Sequence, residues 1–168
     1  STATSPTYTY SSAGTYTATL IVSRSGCSDT DSKTITVNQN PSVNFVASPT
    51  EACAAPLTTN FTNTSANAVS YLWRFGDGNT STAANPSNTY NALGSYTVKL
   101  IATSASGCTD SFTRTTYVKV QQPTATISIG SYSGCAPVTI SFTANITTVI
   151  PVSNYTWDFG DGSGTVSC

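Results

Sequence analysis

The sequence contains no histidine, no methionine and very little charge. Its 168 residues include six Lys plus Arg and seven Asp plus Glu, so charged residues make up 8% of the chain, against roughly 25% in a typical soluble domain. No basic stripe is available to bind phosphates, and we expect no nucleic acid partner. Without histidine the chain lacks the commonest general base and the commonest metal ligand. We therefore expect no catalytic residues, no cofactor and no enzyme activity.

Long apolar runs are also missing. A membrane-spanning helix needs about 18 or more consecutive apolar residues, and no such run occurs, so we expect no membrane span. The chain has no initiating methionine and no signal peptide, which favours a mature or internal segment of a longer protein. With 38% hydrophobic residues, including nine Tyr, six Phe and two Trp, it is too apolar and aromatic for a disordered linker.

Hydroxyl side chains and cysteines indicate an extracellular location. Ser and Thr together number 57, and a hydroxyl-rich chain with little charge is more typical of extracellular than of cytosolic proteins. The five cysteines are Cys27, Cys53, Cys108, Cys135 and Cys168. None lies in a C-x-x-C pattern, so the spacing favours disulfides over a metal or redox site. The odd count implies either a partner outside the chain or one free thiol.

Self-comparison of the sequence reveals an internal repeat. Residues 71–78 (YLWRFGDG) return as residues 155–162 (YTWDFGDG), an offset of 84, and PTYTY at residues 6–10 matches PSNTY at residues 86–90. We predict that residues 41–121 form a complete domain, with the C-terminal half of another domain at 1–39 and the N-terminal half of a third at 123–168. One hypothesis is a two-copy unit of a longer tandem array, cut inside a domain; the alternative is a fragment with arbitrary ends.

Residues alternating with a period of two predict β-strands in the middle copy. One set comprises Val69, Tyr71, Trp73 and Phe75, and the other Tyr96, Val98, Leu100 and Ala102. Further strands are expected at 43–47, 57–64, 80–83 and 112–120, separated by turns rich in Gly, Pro, Asn and Ser. Six or seven short strands in about 80 residues predict an all-β, antiparallel sandwich of immunoglobulin type.

The W-x-F-G-D-G motif occurs twice, and in the middle copy N-P-x-x-T-Y at 85–90 and G-x-Y-T-V at 94–98 follow it. Together with Ala-Pro-Leu at 55–57, these stretches resemble polycystic kidney disease (PKD) repeat domains, and the resemblance covers the whole chain. The residues of the two motifs are Trp73, Phe75, Gly76, Asp77, Gly78, Trp157, Phe159, Gly160, Asp161 and Gly162. We expect Trp73 at the centre of the core, positive φ at Gly76 and Gly78, and Asp77 bonded to neighbouring amides as in an Asx turn.

The resemblance implies tandem immunoglobulin-like sandwiches that act as spacers or adhesive modules outside the cell. Variants with C-A-P and S-G-C-x-D are similar to arrays in very long secreted surface adhesins of gliding bacteria, including some exported by type 9 secretion. We therefore predict a non-catalytic repeat unit of a cell-surface adhesin or filament, acting as a stiff spacer whose partners are neighbouring copies. The alternative is a module of a secreted hydrolase that binds carbohydrate or protein.

The cysteines are expected to join neighbouring domains. In a sandwich of this strand order Cys53 and Cys108 lie in loops at opposite ends, which disfavours a disulfide between them. Head-to-tail stacking would instead pair Cys53 with the Ser-Gly-Cys cysteine of the following copy, and Cys108 with the Cys-Ala-Pro cysteine of the preceding one. In the array, Cys27 would pair with Cys53 of the previous unit, and Cys108 with Cys135 of the previous unit. Cys168 is left over. A bond between Cys53 and Cys108 within one domain is the alternative.

Two further groups of side chains are candidates for ligand sites. Asp158 and Asp161 are weak calcium candidates, since carboxylates at i and i+3 on a loop suit oxygen coordination. The middle copy has Arg74 where Asp158 stands, so turn stabilisation by the aspartates is favoured. Tyrosine rings can stack on sugars of a surface polysaccharide, although tyrosines on strands more often belong to the core. The candidate tyrosines are Tyr8, Tyr10, Tyr117 and Tyr132.

Overall fold

The computed structural model describes residues 3–130, 133–148, 150–162 and 165–167. These residues form fourteen β-strands, and the described part of the chain contains no helix. The strands are β1 (Gly14–Arg24), β2 (Cys27–Val37), β3 (Phe45–Ser48), β4 (Glu51–Ala52), β5 (Leu57–Asn63), β6 (Ser70–Arg74), β7 (Thr80–Ser81), β8 (Ser87–Tyr90), β9 (Gly94–Thr103), β10 (Thr109–Val120), β11 (Thr124–Ser128), β12 (Thr143–Thr147), β13 (Thr156–Asp158) and β14 (Thr165–Ser167). The prediction of an all-β chain is confirmed.

Strands β3 to β10, here called the central sandwich, form two sheets. One has five strands in the order β4-β10-β9-β6-β7, and the other has three in the order β3-β5-β8. Neighbouring strands are antiparallel except β4 and β10, which pair in parallel through Glu51 with Lys119 and Ala52 with Val120. The apolar inner faces of the two sheets pack on each other, as in other β-sandwiches.

Aromatic rings fill the space between the two sheets. Trp73 is fully buried, and its ring lies 5.1 Å from Phe45, 5.5 Å from Phe61 and 6.3 Å from Phe75 between centroids. The predicted position of Trp73 in the core is therefore confirmed. The buried apolar cluster consists of Phe45, Leu57, Phe61, Trp73, Phe75, Tyr90, Val98, Leu100, Val118 and Val120.

The period-two pattern predicts the buried face of β9 better than that of β6. Val98, Leu100 and Ala102 alternate with more exposed residues and are all 0% exposed, because successive side chains of a strand point to opposite faces. On β6 the prediction fails at Val69, which is 67% exposed. Val69 precedes the strand, and its amide donates to Thr103 O at 2.8 Å, so the residue belongs to the turn rather than to the inner face.

Strands β1 and β2 form an N-terminal hairpin with the register of β9 and β10. Both hairpins are antiparallel, and equivalent residues lie opposite one another in the two. The equivalent pairs are Gly14 with Val37 and Gly94 with Val120, Tyr16 with Ile35 and Tyr96 with Val118, and Leu20 with Asp31 and Leu100 with Phe112. Within the strands, the hairpins differ by an irregularity between Arg114 and Val118 of β10, where Thr116 has a φ of 47°; β2 pairs with β1 without interruption.

Strands β11 to β14, the C-terminal segment, likewise repeat pairings of the central sandwich. Ile127 lies opposite Ala144 as Phe45 lies opposite Asn63, and β13 pairs with β14 as β6 pairs with β7. Several large apolar residues of both terminal regions are exposed, including Leu20 at 64%, Ile127 at 64% and Phe159 at 46%. Among the described residues, no second sheet covers these faces.

Candidate functional site

The first W-x-F-G-D-G motif forms a tight turn between β6 and β7. The indole Nε1 of Trp73 donates to Ala83 O at 2.9 Å, and the amide of Phe75 donates to Asn79 O at 3.2 Å. Gly76 and Gly78 have φ values of 87° and 97°, which confirms the predicted positive φ at both. A Cβ at Gly76 would stand 2.6 Å from Thr97 O, so glycine is required there by space as well as by conformation.

Asp77 is the hub of the hydrogen bonds in this turn. Its Oδ1 accepts from the amide of Asn79 at 2.9 Å, which is the predicted Asx turn. Its Oδ2 accepts from Asn79 Nδ2 at 3.0 Å and from Asn88 Nδ2 at 2.7 Å. Asn88 is 8% exposed, so Asp77 satisfies a buried amide on β8 and ties the motif to the opposite sheet.

Tyr90 continues this network into the core. Its hydroxyl donates to Phe75 O at 3.2 Å, and its side chain is fully buried. Burial raises the pKa of the Tyr90 hydroxyl above its ordinary value near 10. The polar groups of Trp73, Asp77, Asn88 and Tyr90 are all used within the protein, which makes the motif a structural anchor.

The second motif keeps the ring geometry of the first. Trp157 and Phe159 stack with centroids 6.2 Å apart, and Phe142 lies 5.8 Å from Trp157. Gly160 and Gly162 both have a φ of 76°. The predicted calcium candidates lie in this exposed turn: Asp158 Oδ1 accepts from the amide of Gly160 at 2.9 Å, and Asp161 lies beyond it. Calcium binding at Asp158 and Asp161 stays a prediction, and no group of three His, Cys, Asp or Glu side chains suited to a metal occurs in the described residues.

The outer face of the five-stranded sheet carries two cations beside two apolar side chains. Arg74 of β6 lies opposite Lys99 of β9, and Leu72 lies opposite Ile101 two residues along. Leu72 and Arg74 also line a shallow groove of about 400 Å³. In the C-terminal segment, Asp158 stands where Arg74 does, so the cationic pair is a property of the central sandwich. This surface was missed in the sequence, because pairing across strands brings the two cations together.

Arg114 of β10 has a structural role instead. Its guanidinium carbon lies 5.5 Å from the ring centroid of Phe45, 5.2 Å from Phe112 and 4.9 Å from Tyr117. Its Nε also donates to Phe45 O at 3.2 Å. Stacking of this kind places the cation on the electron-rich ring faces, which holds the edge of the sandwich together.

The tyrosines suggested as sugar platforms have different environments. Tyr117 accepts a hydrogen bond from the amide of Ala47 at 2.9 Å and packs on the core. Tyr10 packs on Tyr16 with centroids 4.4 Å apart and 34° between the ring planes, the same geometry as Tyr90 on Tyr96. Tyr8 is 80% exposed. Tyr132 lies outside the described residues.

Cys27, Cys53, Cys108 and Cys135 are all free thiols in the structure, and Cys168 lies outside the described residues. Cys53 follows Ala52, which pairs with Val120 at one end of β10, while Cys108 precedes the other end. The strand has 12 residues, which span roughly 40 Å. A bond between Cys53 and Cys108 within one domain is therefore excluded, since disulfides need Cα atoms within about 7 Å. The predicted interdomain bonds stay predictions.

No helix among the described residues is long and apolar enough to cross a membrane. The candidate surfaces of the described residues are thus shallow grooves on sheet faces and exposed hairpins. The strand order of the central sandwich, its aromatic core and the hydrogen bonds of Asp77 define a β-sandwich module.

The family to which this sandwich belongs follows from comparison with known proteins. The pattern of the PKD domain matches residues 38–120. The PKD1 domain of Vibrio anguillarum Epp is 38% identical, over 50% of this chain and 99% of that domain, with a TM-score of 0.43. The PKD1 domain of the Vibrio cholerae metalloprotease PrtV is 36% identical, over 50% of this chain and all of that domain, with a TM-score of 0.43. The chain belongs to the PKD domain family, as the motifs predict.

Larger curated proteins contain sequences similar to parts of this chain. The pre-pro-metalloprotease PrtV of Vibrio cholerae is 48% identical over 59 residues, which are 35% of this chain and 6% of that protein. Collagenase ColA of Bacillus cereus is 54% identical over 39 residues, 23% of this chain and 4% of that protein. The chain thus matches a small part of each. PKD domains are non-catalytic modules of such enzymes, so the expectation that this chain is not an enzyme is confirmed.

Proposed function

We propose that this chain is an extracellular, non-catalytic accessory module of a secreted hydrolase, and that it contacts the protein substrate of that enzyme. The relatives that are metalloproteases and collagenases support this function. The cationic pair on the outer face of the five-stranded sheet is the observation that carries it. The predicted adhesin becomes the second candidate.

The outer face offers both charge and apolar surface to a partner. Four of the six cations of the chain lie in the central sandwich: Arg74, Lys99, Arg114 and Lys119. Arg114 is held by three aromatic rings, and Lys119 bonds to Glu51 at 3.2 Å. Among the described residues Arg74 and Lys99 form no salt bridge. With Leu72 and Ile101 beside them, they suit a protein surface that presents carboxylates next to apolar side chains.

Co-sedimentation with insoluble collagen tests this proposal, with cellulose and chitin as polysaccharide controls. We expect the chain to sediment with collagen, and the double variant Arg74→Asp, Lys99→Asp to lose most of that binding. The matched control is Arg24→Asp, Lys33→Asp, which changes the net charge equally on the N-terminal hairpin and should bind as the wild type does. Equal losses in both double variants, or retention on polysaccharide alone, would contradict the proposal.

The repeated strand registers favour a second candidate, a tandem array that spaces other parts of a long surface protein. We propose that residues 41–121 are a complete PKD domain and that residues 1–39 and 123–168 are halves of two further ones. The matching pairs in β1–β2 and β9–β10, and in β11–β12 and β3–β5, support this division. In an adhesin of gliding bacteria exported by type 9 secretion, such domains would form a stiff rod.

Copy number in the parent gene separates the two candidates. Dozens of copies and no hydrolase domain would favour the adhesin, whereas one or a few copies beside a protease domain would favour the accessory module. Peptide mapping of the parent protein without reduction tests the interdomain disulfides of the array. They predict cross-links of Cys53 and Cys108 to neighbouring copies, and a parent with only free thiols would contradict them.

A further inference from the structure

Side chains close one edge of the central sandwich. Strand β3 is the outer strand of the three-stranded sheet, and the register of its pairing turns the amides and carbonyls of Phe45 and Ala47 away from β5. The amide of Phe45 donates to Asn44 Oδ1 at 2.8 Å, and the amide of Ala47 donates to the hydroxyl of Tyr117 at 2.9 Å. Arg114 Nε donates to Phe45 O at 3.2 Å. Three of the four outward-facing groups are therefore already bonded.

The edge at β7 has no such caps. Strand β7 is the last strand of the five-stranded sheet, and Thr80 lies opposite Arg74 of β6. The amide of Phe75 donates to Asn79 O, so the neighbouring position, Thr80, has its amide and carbonyl turned away from β6. No strand of the described residues pairs with β7 on that side. Thr80 is also exposed, which leaves its two main-chain groups available to another strand.

The side chains beside this open edge are cationic and apolar. In one row across the sheet, Lys99 lies opposite Arg74, and Arg74 lies opposite Thr80. Leu72 stands two residues along β6 on the same face, and a groove of about 400 Å³ runs between Leu72, Arg74 and Thr80. Among the described residues neither cation forms a salt bridge. The edge thus combines main-chain groups that β6 does not use with unpaired positive charge and an apolar side chain.

The segments on either side of the central sandwich leave this edge uncovered. Gln39 shares a groove with Ser104, just beyond the end of β9, and Thr124 shares one with Gly94, at its start. The chain therefore enters and leaves at the two ends of β9, which has 10 residues and spans roughly 33 Å. Strand β7 lies at the side of the same sheet, two strands from β9. Because β7 and its neighbours lie within residues 38–120, which match the PKD pattern, the open edge is a feature of the domain itself.

We propose that the edge of β7 binds an extended, acidic segment of a partner protein by strand addition. The segment places a glutamate or aspartate opposite Thr80 and an apolar residue two positions away, beside Leu72. The amide of the acidic residue donates to Thr80 O, its carbonyl accepts from the Thr80 amide, and its carboxylate reaches across Thr80 to Arg74. Neighbouring strands lie about 4.8 Å apart, so two such spacings separate the acidic residue from Arg74, a distance that two long side chains span together. This inference rests on the proposed function, to which it adds the conformation and the charge of the bound segment.

Strand β8 is the other open edge of the domain. The amides and carbonyls of Ser87 and Thr89 face away from β5. The side chains that lie opposite them on β5, Asn60 and Thr58, carry no charge. An acidic strand gains main-chain hydrogen bonds at either edge but finds cations only at β7. The acidic segment is therefore expected at β7.

Amide hydrogen exchange of the full chain, followed by NMR with and without a synthetic peptide, tests the proposal. The peptide has blocked ends and about seven residues, within the usual length of a strand. In it serine alternates with leucine, except that a glutamate takes the central position. We expect saturating peptide to slow exchange of the Thr80 amide about tenfold and to leave the Ser87 amide unchanged. Protection of Ser87 without Thr80, or of neither amide, would overturn the proposal.

A second peptide, identical except for a methyl group on the amide nitrogen of the glutamate, is the matched control. It keeps the charge and both leucines but cannot donate to Thr80 O, so we expect its binding to weaken at least tenfold. A third peptide, with lysine in place of the glutamate, should bind about fivefold more weakly or worse, since Arg74 then repels it. Equal binding of the methylated peptide would show a contact with the sheet face alone and would contradict strand addition.

Substitution of Arg74 tests the charge from the side of the protein. Arg74→Gln should weaken the glutamate peptide about fivefold, as expected for an exposed ion pair. Arg24→Gln is the matched control, because Arg24 is an exposed cation on the N-terminal hairpin, and it should bind the peptide as the wild type does. Equal losses in the two variants would count against the contact with Arg74. Both side chains are exposed, so unfolding of the central sandwich should stay unchanged.

The strand addition and the proposed function can fail separately. If Arg74→Asp, Lys99→Asp loses collagen binding while the peptide leaves the Thr80 amide unprotected, the contact with a protein substrate stands and the added strand is rejected. If the peptide protects Thr80 and the chain does not sediment with collagen, the added strand stands and the contact with collagen is rejected.

Discussion

The aromatic groups of the central sandwich and of the C-terminal segment have nearly the same ring geometry and very different burial. The stack of Trp73 on Phe75 has 11° between the ring planes, and that of Trp157 on Phe159 has 8°. The two regions differ in having, or lacking, a hairpin beside the motif strand. The motif therefore determines how the rings are arranged, whereas the neighbouring strands determine whether the arrangement is stabilised by burial.

Replacing each tryptophan in turn should give the largest difference between the buried and the exposed aromatic group. We expect Trp73→Ala to lower the free energy of unfolding of the central sandwich by about 3–5 kcal/mol, because a fully buried indole leaves a large cavity. Trp157→Ala should leave the same transition within about 0.5 kcal/mol. Denaturant unfolding followed by circular dichroism measures both. Equal effects of the two substitutions would show that the terminal region folds with the central sandwich.

Much of the central fold could be predicted because it depends on patterns among residues that are close in sequence. The alternation on β9 determines which residues are buried, and the glycines of the motif indicate positive φ. Strand β4, with two residues, is too short for any periodicity, and its pairing with β10 joins residues 68 positions apart. The exposure of Val69 depends on where β6 begins, which alternation does not specify.

The site was less predictable than the fold for the same reason. The Asx turn of Asp77 is a contact between near neighbours in sequence. Its bond to Asn88 joins residues 11 positions apart, from the turn after β6 to strand β8 of the other sheet, and nothing in the local sequence distinguishes Asn88 from the exposed asparagines. Likewise, Arg74 and Lys99 meet only through the pairing of β6 with β9.

Alanine at the two glycines of the first motif should give the next largest effect. Gly76→Ala combines a positive φ with a Cβ 2.6 Å from Thr97 O, and we expect a loss of roughly 2–4 kcal/mol from strain and overpacking. Gly78→Ala also has a positive φ, but no atom lies within 4 Å of its Cβ, so about 1 kcal/mol is expected. Urea unfolding measures the difference. A smaller loss at Gly76 than at Gly78 would contradict the close approach to Thr97.

Loss of an aspartate should likewise destabilise the protein more in the first motif than in the second. Asp77→Ala leaves the buried amide of Asn88 without its 2.7 Å partner, and we expect a loss of about 1–3 kcal/mol. Asp158→Ala removes one bond in an exposed turn and should change stability by less than about 0.5 kcal/mol. Thermal unfolding of the two variants measures this. An Asp158 variant as unstable as the Asp77 variant would indicate that Asp158 holds more than its own turn.

The smallest effect is expected in alkaline solution. Because burial raises the pKa of Tyr90, the folded state keeps this proton at a pH where the unfolded chain, with a tyrosine pKa near 10, has lost it. The protonated Tyr90 hydroxyl therefore contributes fully to the free energy of unfolding below about pH 10. Above that pH the free energy of unfolding declines, by up to about 1.4 kcal/mol per pH unit. Urea unfolding between pH 8 and 11, roughly spanning the tyrosine pKa, should show this decline. Tyr90→Phe should reduce the slope, and an unchanged slope would count against the assignment.

The entry and exit of the chain at opposite ends of β9 have a mechanical consequence. A pulling force applied through the segments before Ser42 and after Val120 acts along the strands rather than across them. The short parallel pair of β4 with the end of β10 then lies directly beside the point where the load leaves the domain. Because its hydrogen bonds are loaded together instead of opening one after another, we expect the edge at Glu51 and Ala52 to set the force at which the domain starts to unfold.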